Sequence, residues 1–563
     1  MKILLLVSSI CTAGFLYASD FTQEQPGERE WVDQVYAGMS LDEKIGQLFM
    51  PRSIPGVMLD DSQLVTRLIQ DHHIGGVIFM GGDVQKMVQL VNQYQETTKV
   101  PLLVGMDAEH GVAMRMQAIS ALPQQLMLGA IQDARLIERY GKEVARQCAR
   151  LGVHVNFAPV ADVNNNSANP VIGNRSFGES VDNVTQKSIA YINGLRSGGV
   201  LGCLKHFPGH GDTVVDSHEA LPVINYDKDR LNAVELVPFK KGIEAGAAAV
   251  MTAHLNIPTF DETPHIPSSL SFKIVTDLLV NELNFKGLIF TDGLRMHGVR
   301  KYAGNDDGTT ELEAFKAGNT ILLETPFVKE GCEKIKDAVL KDAQLLQKLE
   351  VSTKKILAFK YRLGLPYLSS ISLQNIEGEL LSEEFWDIKK DCINAALTYT
   401  GTDTTPLAEL AQYARSCVDD NQPLKDVAMV VFNSPDFIPL TTAFRLIEGN
   451  CFLVDGDITP EYQEGLLKQL EAFKHVIVVV HGMNRFASKR FGILSSVEAA
   501  VKAITDRYQN AVVTLLGSPY ALSYFKQCPH TIVAYNADDL TQIILAQKFL
   551  SGSEFTGKLP VSV

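Results

Sequence analysis

Between residues 45 and 326, short apolar runs recur, each bounded by glycine or polar residues and followed by a stretch in which apolar positions alternate with charges. The runs fall at 45–50, 75–80, 101–105, 154–160, 200–204, 247–253, 287–290 and 320–323. Apolar and rich in β-branched residues, they fit strands buried on both faces of a parallel sheet. The intervening stretches, 133–151 and 228–246 among them, predict helices. Eight such alternations over about 300 residues are what a (β/α)8 TIM-type barrel requires. A doubly wound sheet fits a similar alternation, but the polar residues favour the barrel. Asp107, Asp162, Lys205, His206, His254 and Asp292 sit at the ends of several different candidate strands, where barrel enzymes carry their chemistry.

A long helical stretch, 329–362, ends at Gly364-Leu365-Pro366. After a connector, a second alternation begins, with strand candidates at 427–432, 451–454, 475–480, 511–516 and 531–535 and helices such as 460–473 between them. This predicts a smaller α/β sandwich with a largely parallel sheet. The expected organisation is a signal peptide over 1–19, a barrel over 30–365, a linker over 366–400 and the sandwich over 401–563.

Composition narrows the class. The chain has 563 residues, 46% of them hydrophobic, and a net charge of −14, which argues against a nucleic-acid partner. Lys2 followed by the apolar 3–7 and 10–16 reads as an export signal too short to span a bilayer. A periplasmic or extracellular location is therefore expected, with no stable membrane span. The cysteines after Cys11 are odd in number and scattered, without the spacing of a zinc ribbon, and read as small buried apolar side chains.

The densest polar cluster runs from Lys205 to His218 and holds His206, His210, His218, Asp212 and Asp216. It follows a strand, and Pro208 with Gly209 and Gly211 prevents it from continuing as a helix. Two chemistries could use it. Asp216 could orient His218 as a general acid/base. Alternatively His206, His210, Asp212 and His218 could ligate a water-activating metal, which would make the chain a metal-dependent hydrolase. Spacing alone leaves both open. Asp292, in Phe290-Thr291-Asp292-Gly293-Leu294-Arg295-Met296, ends an apolar strand. Its carboxylate would project into the barrel mouth, or would cap the following helix.

The stretch from Lys205 to Pro222, with Thr291-Asp292 followed by Leu294 and Met296, resembles glycoside hydrolase family 3 in its bacterial β-N-acetylglucosaminidase branch, and the similarity runs from about residue 30 to the C-terminal Gly557-Lys558-Leu559-Pro560-Val561. The resemblance implies that Asp292 is the nucleophile and that the Asp216–His218 dyad is the acid/base, in place of a second carboxylate. It also implies that Asp107, Arg115, Arg175, Lys205 and His206 hold the sugar, that Asp162 supports the site, and that neither metal nor cofactor takes part. An Arg175–Asp162 ion pair is the structural alternative for those two residues. Where the family often has Asp-Gln-Glu-Gly-Gly-Arg, this chain has Asp107-Ala108-Glu109-His110-Gly111-Val112, and Glu324-Thr325-Pro326 after the eighth strand also departs from the family.

The expected activity is release of a terminal β-linked N-acetylglucosamine with retention, from peptidoglycan fragments (muropeptides) or chito-oligosaccharides. A β-glucosidase-type exo-glycosidase and an N-acetylglucosamine phosphorylase are the alternatives within the family. A non-catalytic cell-wall binding module needs no such clustering of Asp292 with the dyad.

Overall fold

The computed structural model describes residues 20–563 apart from 56–60, 214–219, 305, 420–421, 435, 437 and 445–448. The expected signal peptide, Asp216 and His218 therefore lie outside the described residues.

A closed ring of eight parallel strands forms the first unit, counted among the described residues. Phe49–Met50 and Arg52–Ser53 make the first strand, followed by Gly76–Phe79, Leu103–Met106, Val155–Asn156, Leu201–Gly202 with Leu204–Phe207, Ala249–Thr252, Leu288–Thr291 and Leu322–Leu323. Neighbours pair in sequence order, and a bridge between Phe290 and Ile321 joins the seventh strand to the eighth. Pairing of Phe49 with Leu322 then closes the ring. Strands such as Gly76–Phe79 and Leu288–Thr291 are buried at every position, because the barrel interior takes one set of side chains and the outer helices cover the other.

Several sequence-predicted boundaries move for local reasons. Ile45 and Gly46 end a helix, Leu41–Gly46, started by a reciprocal capping box between Ser40 and Glu43, so the first strand begins later than its apolar run. The stretch 329–362 divides into Val328–Lys341 and Ala343–Arg362, because Asp342 is extended and its carboxylate accepts from Gln344 N and Leu345 N. The stretch 228–246 likewise divides into Lys228–Ala233 and Val237–Glu244, with Pro238 in the first turn of the second.

The second unit is a six-stranded sheet. Its spatial order is Thr398–Tyr399, Thr531–Val533, Val512–Leu515, His475–Val480, Val427–Phe432 and Cys451–Val454, with only the first pair antiparallel. The two-residue edge strand Thr398–Tyr399 lies in the stretch expected to be linker; two residues are too few to show alternation. Successive residues of the central strands feed opposite cores. Met429, Val431, Ile477 and Val479 join the core continuous with the barrel, while Val430, Phe432, Val478 and Val480 join the outer one.

The two units share a polar and apolar seam. Leu126 of the barrel unit is buried in the outer core. Asn164 Nδ2 donates to the Tyr520 hydroxyl at 2.5 Å, and Glu179 N donates to Pro560 O at 3.1 Å. The C-terminal tail thus rests on the loop after the fourth strand, which also carries Arg175. No helix among the described residues is long and apolar enough to cross a membrane.

At the other end of the barrel, Lys360 is fully buried and donates to Gln47 Oε1 at 2.6 Å. Burial pushes its ammonium down from 10.5 to about 7. Across the interval between those values the folded chain binds fewer protons than the unfolded one, so stability rises with pH there. Lys360→Met is expected to flatten that rise, read as melting temperature at pH values from about 7 to 10. Lys187, also held at about 7 by burial, keeps part of the slope.

Candidate active site

The C-terminal ends of the barrel strands open into a pocket of ≈ 560 Å³ lined by Asp107, Arg115, Arg175, Lys205, His206 and Asp292. These residues follow or end the third, fifth and seventh strands, save Arg175 on the loop after the fourth and Arg115 beyond the third. The barrel explains the convergence: parallel strands deliver all their C-terminal ends to one rim.

A buried ion cluster forms one wall. Lys205 Nζ donates to Asp107 Oδ1 at 2.7 Å and lies 2.8 Å from Glu109 Oε1. Arg115 Nη2 donates to Asp107 Oδ2 at 2.5 Å, and Arg175 grips Glu109 with Nη2 at 2.7 Å and Nε at 3.1 Å. Burial alone would raise the Asp107 pKa, but the Lys205 and Arg115 cations outweigh it and hold the carboxyl at about 2. Glu109 is held well below its ordinary value in the same way, burial being overcome by Arg175 and Lys205. Both carboxylates thus stay ionised, fixed acceptors for hydroxyl groups.

His206 forms the neighbouring wall. Its Nδ1 faces Asp162 Oδ2 at 2.7 Å, and Asp162 Oδ1 accepts from His206 N at 3.1 Å and His210 N at 2.7 Å. With Arg175 Nη2 at 3.4 Å from Nε2, a donor on that side assigns the ring proton to Nδ1, toward the carboxylate. Asp162 is buried; desolvation is overcome by His206 and by the His210 N–H, and its pKa lies below the ordinary value. The loop that follows is pressed against the fourth-strand loop. A Cβ at Gly211 would lie 1.8 Å from the Val163 carbonyl oxygen, so only glycine fits.

Asp292 is half-buried directly after the seventh strand. Its amide donates to Thr252 O at 2.9 Å, and its Oδ1 accepts from Gly293 N at 2.8 Å. His254 Nε2 lies 3.1 Å from Gly293 O, while its Nδ1 faces the Ser269 hydroxyl at 2.7 Å. The carbonyl can only accept, so Nε2 carries the proton and the ring braces the backbone beside Asp292. His254 thus supports the site from beneath the rim.

A family model for the glycosyl hydrolase family 3 N-terminal domain matches residues 40–359, more than half of the chain. This protein is a member of glycosyl hydrolase family 3. It is a glycoside hydrolase with a carbohydrate substrate. Over 557 residues, covering 89% of this chain and 91% of the relative, it is 28% identical to β-hexosaminidase A of Pseudoalteromonas piscicida. It is 36% identical to a β-hexosaminidase of Vibrio cholerae over 243 residues, 42% of this chain and 71% of that one. A family 3 β-N-acetylglucosaminidase structure from Paenibacillus sp. superposes with a TM-score of 0.74 at 24% identity, over 93% of this chain and 99% of that one, and shares the fold.

Within this family 3 chain, the structure brings Asp107, Arg115, Arg175, Lys205, His206 and Asp292 to one pocket. The Arg175–Asp162 alternative is corrected: Arg175 pairs with Glu109 and Asp162 with His206. The described members of the alternative metal set do not converge. His206 Nδ1 is engaged by Asp162 and His210 Nδ1 faces Thr213 Oγ1 at 3.0 Å. Asp212 accepts from the Tyr226 hydroxyl at 2.6 Å and lies 4.0 Å from Arg230.

Glu109 and Glu324 were not singled out as site residues from sequence. Two acids at i and i+2 after a strand were the available signal for Glu109. Glu324 lines the pocket at φ 52°, 3.8 Å from Arg52; burial, and then the Asp107 charge, raise its pKa. Only its departure from the family pattern hinted at it.

Lys205→Met removes the cation shared by two buried carboxylates. Asp107 is then expected to titrate well above 2, and KM for a glycoside should rise at acidic pH where the wild type holds steady, as read from a KM–pH profile. In the wild type, the stability contributed by the depressed Asp107 is present above its ordinary value of 3.8 and is lost as pH falls toward 2.

Proposed function

We propose that the enzyme is a retaining exo-β-N-acetylglucosaminidase, acting by double displacement through Asp292. The observation that carries this reading is the half-buried Asp292 carboxylate in one pocket with the Lys205–Asp107–Arg115 and Glu109–Arg175 ion cluster. Ionised Asp107 would accept hydroxyl hydrogens of the terminal sugar, Arg115, Arg175 and Lys205 would donate to its oxygens, and His206 Nε2 would accept from a hydroxyl. Asp292 would then attack the anomeric carbon. One carboxylate oxygen forms a bond to C1 as the C1–O bond to the leaving group breaks, and His218, oriented by Asp216, gives its proton to the departing oxygen. Water next attacks C1 from the vacated side, His218 takes its proton, and Asp292 is released with net retention.

The N-acetylglucosamine preference is supported by relatives named β-hexosaminidases and by the Asp216–His218 motif that follows the fifth strand in the sequence. Exported location, read from residues 1–19, directs the proposal toward peptidoglycan fragments, with chito-oligosaccharides as the second candidate.

Aryl N-acetylglucosaminides of graded leaving-group ability test the roles. Asp292→Ala is expected to abolish turnover on all of them. His218→Ala should lose about 10²–10⁴-fold on poor leaving groups and little on good ones. A loss independent of the leaving group would refute the acid/base assignment. A 2-fluoro slow substrate should label Asp292, and a label on another side chain removes the nucleophile assignment. Running the assay in phosphate separates the outcomes further: free sugar supports hydrolysis, and a sugar 1-phosphate replaces it with phosphorolysis.

A further inference from the structure

Glu324 follows the eighth strand directly and lines the same pocket as Asp292, outside the Lys205-centred ion cluster. Its φ of 52° lies in the left-handed region, which is uncommon for a residue with a side chain. The neighbouring chain holds it there. Glu324 N donates to Met50 O of the first strand at 3.0 Å, and Leu294 N donates to Leu323 O at 3.0 Å. On the other side the buried Thr325 hydroxyl donates to Glu311 Oε1, and Phe327 N donates to Thr325 Oγ1 at 3.1 Å. Backbone held in a sparsely populated region by its surroundings is typical of residues that serve a site.

The side chain lies against the backbone that carries Asp292. A Cβ at Gly293 would come within 2.9 Å of Glu324 Oε2, so this carboxyl sits over the residue that follows Asp292. Arg52, its ion-pair partner, is 3.8 Å away, beyond hydrogen-bond reach, and no described residue donates a hydrogen bond to the carboxylate. Four charged side chains face it. Burial first, then the Asp107 charge, raise its pKa above the ordinary 4.5, and Asp292 adds to them. Arg52 in the first strand and Arg295 after the seventh pull the other way. Asp107 itself is held at about 2 against burial by Lys205 and Arg115, so it stays charged while Glu324 titrates.

We propose that Glu324 is a positioning residue that acts through Asp292: its carboxylate repels the Asp292 anion in the free enzyme, and that repulsion is relieved once Asp292 is bonded to C1. Two carboxylates in one part-buried pocket raise each other's free energy. When the Asp292 oxygen bonds to C1, its negative charge passes to the leaving oxygen, which His218 protonates. Glu324 neither gains nor loses a proton in that step. It disfavours the charge that the step consumes and favours the positive charge that develops on the sugar ring. The inference rests on the reading of Asp292 as the nucleophile.

The pH profile of kcat/KM tests it, measured on an aryl N-acetylglucosaminide whose good leaving group makes little demand on His218. Glu324→Gln keeps the shape of the side chain and cannot ionise. Its kcat/KM is expected to lie about tenfold below wild type at neutral pH, and the two should converge as pH falls and the wild-type Glu324 takes up its proton. Glu324→Asp, whose side chain tolerates the same backbone region, should restore the ionising step. Arg52→Gln removes a cation that favours the carboxylate, and should move the fall in kcat/KM to higher pH; this shift decides alone if Glu324→Gln does not fold. A merely structural Glu324 would give a wild-type-to-Gln ratio that is the same at every pH, and that constant ratio overturns the proposal. Labelling by a 2-fluoro slow substrate separates the two readings. A label on Asp292 with a constant ratio removes only the role of Glu324, while a label on Glu324 or elsewhere removes the nucleophile reading and this one together.

Discussion

Lys205 is the residue on which the site depends. Its ammonium, 2% exposed, joins Asp107 and Glu109 across the barrel mouth, and each of those carboxylates in turn holds an arginine. Two buried carboxylates this close would otherwise repel one another, and one would have to protonate. The cation lets both remain charged and fixes their oxygens as acceptors. It also ties the loop after the third strand to the fifth strand, ninety-eight residues away at Asp107. The cost of burying these charges is offset only because each has several partners; removal of one leaves the rest uncompensated.

His206 and Asp162 extend the same logic to the next loop. Asp162 accepts from the ring and from two backbone amides, so it positions the start of the segment leading to Asp216 and His218. Gly211 lets that segment lie flat on the fourth-strand loop. On the far side, His254 braces the backbone after Asp292. That wall of the pocket is therefore built from buried groups held by several partners each.

The second unit is more than a brace. Its last residues rest on the loop that carries Arg175, Tyr520 meets Asn164, and Arg485 reaches the edge of the pocket itself. None of these contacts left a mark in local sequence. Arg485 follows a strand of a separate sheet, and it meets the barrel only because the two units pack face to face.

The barrel was legible from its eight apolar runs, since burial on both faces produces uninterrupted hydrophobic strands of a characteristic length. Asp292, Lys205 and His206 were legible for a related reason: polar residues that end such strands fall on the rim. Boundaries were less so where capping overrode hydrophobicity, as at Ser40 and Asp342, and the edge strand Thr398–Tyr399 was too short to show a period. Pairing was not legible at all. Arg175 takes Glu109, sixty-six residues away, rather than Asp162, because the closed ring sets which rim loops face each other. Chain order carries the identity and spacing of chemically competent side chains, since these reflect local backbone conformation and burial. Which charge meets which, and whether a distant unit reaches the pocket, depends on distances of a few ångströms that exist only once the ring has closed and the seam has formed.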